Sequence, residues 1–220
     1  MEYLVPLISS FKAHANPEKA NWMKQYMKGK FEFLGLETKI RRSLQKDFYK
    51  SEGYPAQDDL FQVVFSLWKL PAREYQYCAV ELLQKFQKKL EVSDIIHIEK
   101  LILTKSWWDS VDGLASWICG AYFQLYPEQV EKTTTAWIQS GNFWLQRSCL
   151  LFQLKYKDKT DTDLLERCIG QLHDEKEFFI RKAIGWILRE YSKTNPDWVR
   201  NFVARQQLST LSYREATKYI

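Results

Sequence analysis

Hydrophobic and polar positions recur at helical spacing along most of the chain. Between residues 75 and 86 apolar residues at 75, 78, 79, 82, 83 and 86 form the one-sided stripe of an amphipathic helix. Trp144, Leu145, Ser148, Cys149 and Phe152 repeat that spacing. Asn16-Pro17 and Asn195-Pro196 each place a capping side chain ahead of a proline, which suits the first position of a helix. Ser106-Trp107-Trp108-Asp109 predicts a capping box with Asp in the usual Glu position. Strand-like alternation bounded by turns is not evident, so the chain is predicted to be all-α.

The helices carry a longer period. A key residue followed by a small and then an aliphatic or sulfur side chain recurs in Tyr77-Cys78-Ala79-Val80, Val111-Asp112-Gly113-Leu114, Gln146-Arg147-Ser148-Cys149 and Arg181-Lys182-Ala183-Ile184. With Arg42-Ser43-Leu44 upstream, the key positions are Arg42, Cys78, Asp112, Arg147 and Lys182, in steps of 36, 34, 35 and 35. That period fits one antiparallel helix pair per repeat, hence a solenoid in which equivalent positions stack along one face. Neighbouring key residues would lie on the order of 10 Å apart, a helix-packing distance, and three cations would flank one acid. A solvated polar face is the plainer account of any one of these charges.

Composition sharpens the picture. Of 220 residues, 45% are hydrophobic, enough for a core, while 8 Gly and 6 Pro are few for a turn-rich β protein. The net charge is +5, and basic residues cluster at both ends: eight against three acids over 24–50, and eight against three over 181–218. Such clusters suit a polyanion, since phosphate contacts provide most of the affinity for a duplex. The four cysteines at 78, 119, 149 and 168 form no Cys-x-x-Cys pair, and no His stands at metal-ligand spacing. They are expected to be reduced core residues of a cytoplasmic protein. The start, Met1-Glu2-Tyr3-Leu4-Val5-Pro6, has neither the basic region nor the apolar run of a secretion signal, and no stretch approaches a membrane span.

Candidate chemistry centres on Trp107-Trp108-Asp109-Ser110-Val111-Asp112. Trp108 and Asp112, four apart, share a helix face, and Trp186 stands four beyond Lys182. Asp112 is the best acid for chemistry; the plainer account is that it caps or bridges to a neighbouring cation such as Arg147, and the two are compatible. Asp109 reads as a first-turn acid favoured by the helix dipole. Trp22, Trp68, Trp117, Trp137, Trp144 and Trp198 read as core or partly buried residues, as Trp108 and Trp186 would without their charged neighbours. His97, among isoleucines, reads as a boundary residue, and His14 and His173 fall near helix ends. No nucleophile motif, phosphate-binding glycine loop or zinc spacing is present, which argues against a conventional hydrolase triad and against a metal or cofactor.

The ordered set of motifs resembles the AlkD family of bacterial DNA alkylation-repair glycosylases. It comprises Tyr26-Met27-Lys28 with Phe33-Leu34-Gly35, Arg41-Arg42, residues 107–112, Trp144-Leu145-Gln146-Arg147 with Phe152-Gln153-Leu154-Lys155-Tyr156, residues 183–191, and Leu211-Ser212-Tyr213-Arg214-Glu215-Ala216. The resemblance implies a single domain over 1–220, a right-handed solenoid of about six HEAT-like repeats with a concave basic groove. It implies a monomeric, monofunctional glycosylase that releases cationic alkylpurines such as 3-methyladenine and 7-methylguanine from double-stranded DNA, gripping the backbone and leaving the lesion largely stacked. Catalytic positions then fall on Asp112, Trp108 and Trp186. DNA contacts fall on Thr38, Arg42, Arg147, Lys155 and Arg189, to which the register adds Lys182 and the basic stretch over 181–218 adds Arg214. Lys39 stands where the family often has a proline, which changes only the local loop. The alternative is a non-catalytic binder of unusual or damaged DNA, which would be expected to lose Asp112 or the tryptophans.

Overall fold

A computed structural model describes residues 2–220; Met1, the first residue of the segment lacking a secretion pattern, lies outside them. The chain packs as two compact units, one ending at Lys89 and the other running Leu90–Ile220. Both are helical, and the only β pairing among the described residues is an isolated bridge between Glu32 and Ala72. No helix among them is long and apolar enough to cross a membrane.

The first unit contains α1 (Val5–Ala13), α2 (Pro17–Tyr26), α3 (Thr38–Glu52), α4 (Leu60–Lys69) and α5 (Arg73–Phe86). α1 packs on α3 and α4 on α5. Asn16 caps α2 as expected, its side chain accepting from the Lys19 N–H at 3.0 Å. The loop before α3 turns back at Gly35, whose φ is +82° and whose missing Cβ would lie 2.1 Å from the Asn16 carbonyl oxygen. Fully buried Glu74 accepts from the backbone N–H groups of Leu34, Gly35 and Leu36, which satisfies the charge and the loop donors together. Trp22 departs from expectation. It is 64% exposed and stacks at 5.7 Å on exposed Tyr26, because α2 is too polar to bury a face.

The second unit contains α6 (Ile95–Leu103), α7 (Trp108–Gly113), α8 (Gly120–Leu125), α9 (Val130–Gln139), α10 (Phe143–Leu151), α11 (Thr162–Leu172), α12 (Phe178–Ser192), α13 (Pro196–Arg205) and α14 (Thr210–Ala216). Six π-helical residues, Leu114–Cys119, join α7 to α8. α7 packs on α10, α10 on α12 and α12 on α14, while α9 pairs with α10 and touches α11, and α13 touches both α12 and α14. α7, α10, α12 and α14 therefore form one row, whose first three helices carry Asp112, Arg147 and Lys182. Asn195 caps α13 as expected.

Two local features decide where the site sits. Every residue of α10 from Trp144 to Leu151 is buried, so its polar side chains must find partners inside the protein. Gln146 donates to the Ile138 carbonyl and Ser148 to the Trp144 carbonyl. The expected capping box at Ser106 does not form. The Ser106 hydroxyl donates back to the Ile102 carbonyl, and Trp107, with extended backbone, takes the N-cap position. All four cysteines are free and buried.

Candidate active site

α7 begins at Trp108 and places Asp112 one turn along the same face. Opposite, Arg147 on α10 is 4% exposed. Its Nε and Nη2 donate to the two carboxylate oxygens of Asp112 at 2.7 and 2.9 Å, and its Nη1 donates to the Phe179 carbonyl. This two-pronged contact is the strong form of an arginine–carboxylate pair. Burial lifts the Asp112 carboxyl above its ordinary value; Arg147 pulls it down and Asp109 adds to the lift, and the net direction is upward.

α12 supplies the other wall. Phe178, Lys182, Trp186 and Arg189 follow one another at helical spacing, alternating ring and cation. Trp108, Asp112, Arg147, Phe178, Phe179, Lys182, Trp186 and Arg189, with Glu215 of α14, line one cavity of about 340 Å³. Behind it Trp107, Trp144 and Phe179 form an aromatic cluster, with ring centroids 4.9–5.9 Å apart. That cluster holds the Phe179 carbonyl against Arg147.

Six of the expected site residues therefore meet: Trp108, Asp112, Arg147, Lys182, Trp186 and Arg189. Arg147 forms the ion pair with Asp112 that the sequence suggested. Three of its five N–H donors go to Asp112 and the Phe179 carbonyl, so it holds the acid in place. Lys155 is exposed, with its ammonium 5.3 Å from the centre of the Trp117 ring, and does not line the cavity. Arg214 is exposed on α14 and also lies outside the lining. In the first unit, Thr38 is exposed at the start of α3, and Arg42 is exposed with its Nε 2.8 Å from Glu81. There the buried register position is Arg41 rather than Arg42. Arg41 bonds both oxygens of Glu81 at 2.7 Å and the Cys78 sulfur at 3.7 Å. Burial alone would raise the Glu81 carboxyl, but Arg41 and Arg42 together bring it below its ordinary value.

Glu215 and the Trp107–Trp144–Phe179 cluster were not anticipated as parts of the site. Glu215 bridges Lys182 at 3.1 Å and Arg189 at 2.7 Å, and these cations hold its carboxyl below the usual range. Gly185 was the available signal, because a Cβ there would lie 2.4 Å from the Cβ of Glu215.

Comparison with known proteins bears on the family and the fold. Residues 7–220 match the family model described as DNA alkylation repair enzyme. A solved structure from Enterococcus faecalis, described as a predicted DNA alkylation repair enzyme, is 35% identical, covers 94% of this chain and 96% of its own, and superposes with a TM-score of 0.86. AlkD2 from Streptococcus mutans shares the fold at 18% identity over 84% of this chain and 90% of its own, with a TM-score of 0.63. The smu.31 protein of Streptococcus mutans UA159 does so at 19% identity over 83% and 98%, with a TM-score of 0.61. No curated protein is significantly similar to the chain.

Proposed function

Because the chain belongs to the DNA alkylation repair enzyme family, we propose that it is a monofunctional DNA glycosylase for purines made cationic by alkylation at N3 or N7. The observation that carries this reading is Asp112, fixed through both oxygens by buried Arg147 in a cavity it shares with Trp108 and Trp186.

Alkylation at N3 or N7 leaves positive charge on the base, so the bond from C1′ to the base nitrogen is already weak. When it breaks, its electron pair neutralises the base, which departs without needing a proton. The positive charge passes to the sugar as an oxocarbenium-like ion. A carboxylate held in place before the reaction stabilises that ion without reorganising. Indole faces contribute roughly 0.5–2 kcal/mol each to a nearby cation. Water then adds at C1′ and loses a proton, leaving an abasic sugar. Each oxygen of Asp112 has a lone pair beyond the one that Arg147 uses, which suits the carboxylate to orient that water. No leaving-group acid is required, in keeping with the absence of histidine from the lining.

Double-stranded DNA is the proposed partner, with Lys182 and Arg189 as the backbone contacts beside the chemistry. A cavity of about 340 Å³, walled by two tryptophans and a fixed acid, suits a sugar and the edge of a base. The protein is proposed to act as a monomer.

The decisive experiment is base release from methylated duplex DNA. Wild type should release 3-methyladenine and 7-methylguanine, and Asp112→Asn should bind the duplex yet release little. If wild type binds and releases neither base, the protein is the non-catalytic binder instead.

A further inference from the structure

Glu215 has no part in the chemistry derived above, yet its carboxylate lies among the groups that line the cavity. It comes from α14, and two features draw it there. Gly185 offers no Cβ, which lets α14 close on α12; a Cβ would meet the Ser212 carbonyl at 2.9 Å as well as Glu215. Ser212, one turn before Glu215, donates its hydroxyl to the Arg181 carbonyl at 3.0 Å. The carboxylate then reaches two cations that stand seven residues apart on α12, one on either side of Trp186: Oε1 to Lys182 and Oε2 to Arg189. Lys182 and Arg189 are 38% and 22% exposed at their side chains, so both remain open to an outside ligand.

Extending the DNA-binding reading on which it rests, we propose that Glu215 is a positioning residue that ties Lys182 and Arg189 into one preformed clamp for a backbone phosphate beside Trp186. Two cations on one acid leave a net positive group. Lysine has three donors and arginine five, and Glu215 takes one from each, so several remain for phosphate oxygens. Long basic side chains are otherwise mobile, and fixing them before DNA arrives removes part of the ordering cost of binding. The same carboxylate, were it only an electrostatic brake, would weaken DNA binding. Were it only a helix staple, it would leave the two cations independent of each other.

A double-mutant cycle on affinity for duplex DNA, titrated with salt, separates these cases. Arg189→Gln should weaken binding by about tenfold in the wild type but only about twofold or less in a Glu215→Gln background. Glu215→Gln alone should weaken binding even though it removes a negative charge from a DNA-facing site. Tighter binding by Glu215→Gln, or effects that multiply fully, would overturn the clamp. If Glu215→Gln lowers the melting temperature, Lys182→Gln combined with Arg189→Gln replaces it, with a less-than-multiplicative loss expected and a fully multiplicative one fatal. Base release is read in the same samples. A wild type that binds duplex but releases nothing sinks the glycosylase reading and leaves the cycle to decide the clamp. A wild type that does not bind DNA overturns both.

Discussion

Asp112 and Arg147 stand 35 residues apart in sequence and meet through two parallel hydrogen bonds, with only 16% and 5% of their side chains exposed. Arg147 needs an acceptor beside it, which the side chain at 112 supplies, since an unpaired buried charge is strongly destabilising. Arg147→Ala is therefore expected to cost about 3–5 kcal/mol of unfolding free energy, the usual penalty for removing one partner of a buried pair. Arg147→Lys should recover little of this, because an ammonium cannot fork across both oxygens and reach the Phe179 carbonyl as well. Denaturant titration of the three proteins checks both statements. An unchanged midpoint for Arg147→Ala would contradict them.

The protonation of Asp112 should be visible in the pH profile. The carboxyl is raised above its ordinary value of 3.8, by burial first and by the charge of Asp109 in part. Only the ionised form stabilises an oxocarbenium ion, so base release should fall on an acid limb lying above that ordinary value. Asp109→Asn removes one of the causes and should move the limb to lower pH. For stability the sign follows from the raised folded value. The contribution of Asp112 is full below the unfolded value and is lost as pH rises through the folded one. Glu81, lowered by Arg41 and Arg42, does the reverse: its contribution is present above its ordinary value of 4.5 and is lost as pH falls through the folded one. The stability gap between wild type and Glu81→Gln should therefore be widest near neutrality and close below pH 4.5. Single-turnover base release and denaturation, each across pH, are the measurements.

Gly185 lies in the interior of α12, where glycine is ordinarily unfavourable. Its value here is space. Gly185→Ala would press a methyl group against the Glu215 side chain and the Ser212 carbonyl, forcing α14 outward. We expect a loss of about 1–3 kcal/mol, the usual cost of overpacking, despite the better helix propensity of alanine. A melting temperature equal to or above that of wild type would refute the close approach.

How far the sequence spoke for the site can be judged residue by residue. Helical spacing and Asn-Pro caps are local signals, and α5, α2 and α13 appear where those signals place them. The register from Asp112 through Arg147 to Lys182 was also legible, because stacked helix pairs repeat a sequence period directly in space. What escaped depends on surroundings that no local pattern records. Arg41 and Arg42 are adjacent, and only packing decides which one turns inward. Trp22 looked like a core residue because tryptophan usually is, but α2 has no apolar face for it to join. Glu215 resembled an ordinary solvated acid until Gly185 brought its helix close.

Trp108 and Trp186 offer the sharpest test of the proposed chemistry, because their contribution should be confined to the transition state. A ring that stabilises the departing sugar cation does little for a neutral sugar in intact DNA, so its loss belongs in the rate and not in affinity. Trp186→Ala is expected to slow single-turnover release by roughly 2- to 30-fold, the equivalent of one cation–π contact, with affinity for undamaged duplex within about twofold of wild type. Trp186→Phe should recover part of the rate, since phenylalanine keeps a smaller negative face. Trp108→Ala should behave alike, although Trp108 opens α7, so its melting temperature must be measured beside the rate. Equal losses in affinity and rate would make the two indoles general binding surface and leave Asp112 to carry the stabilisation alone.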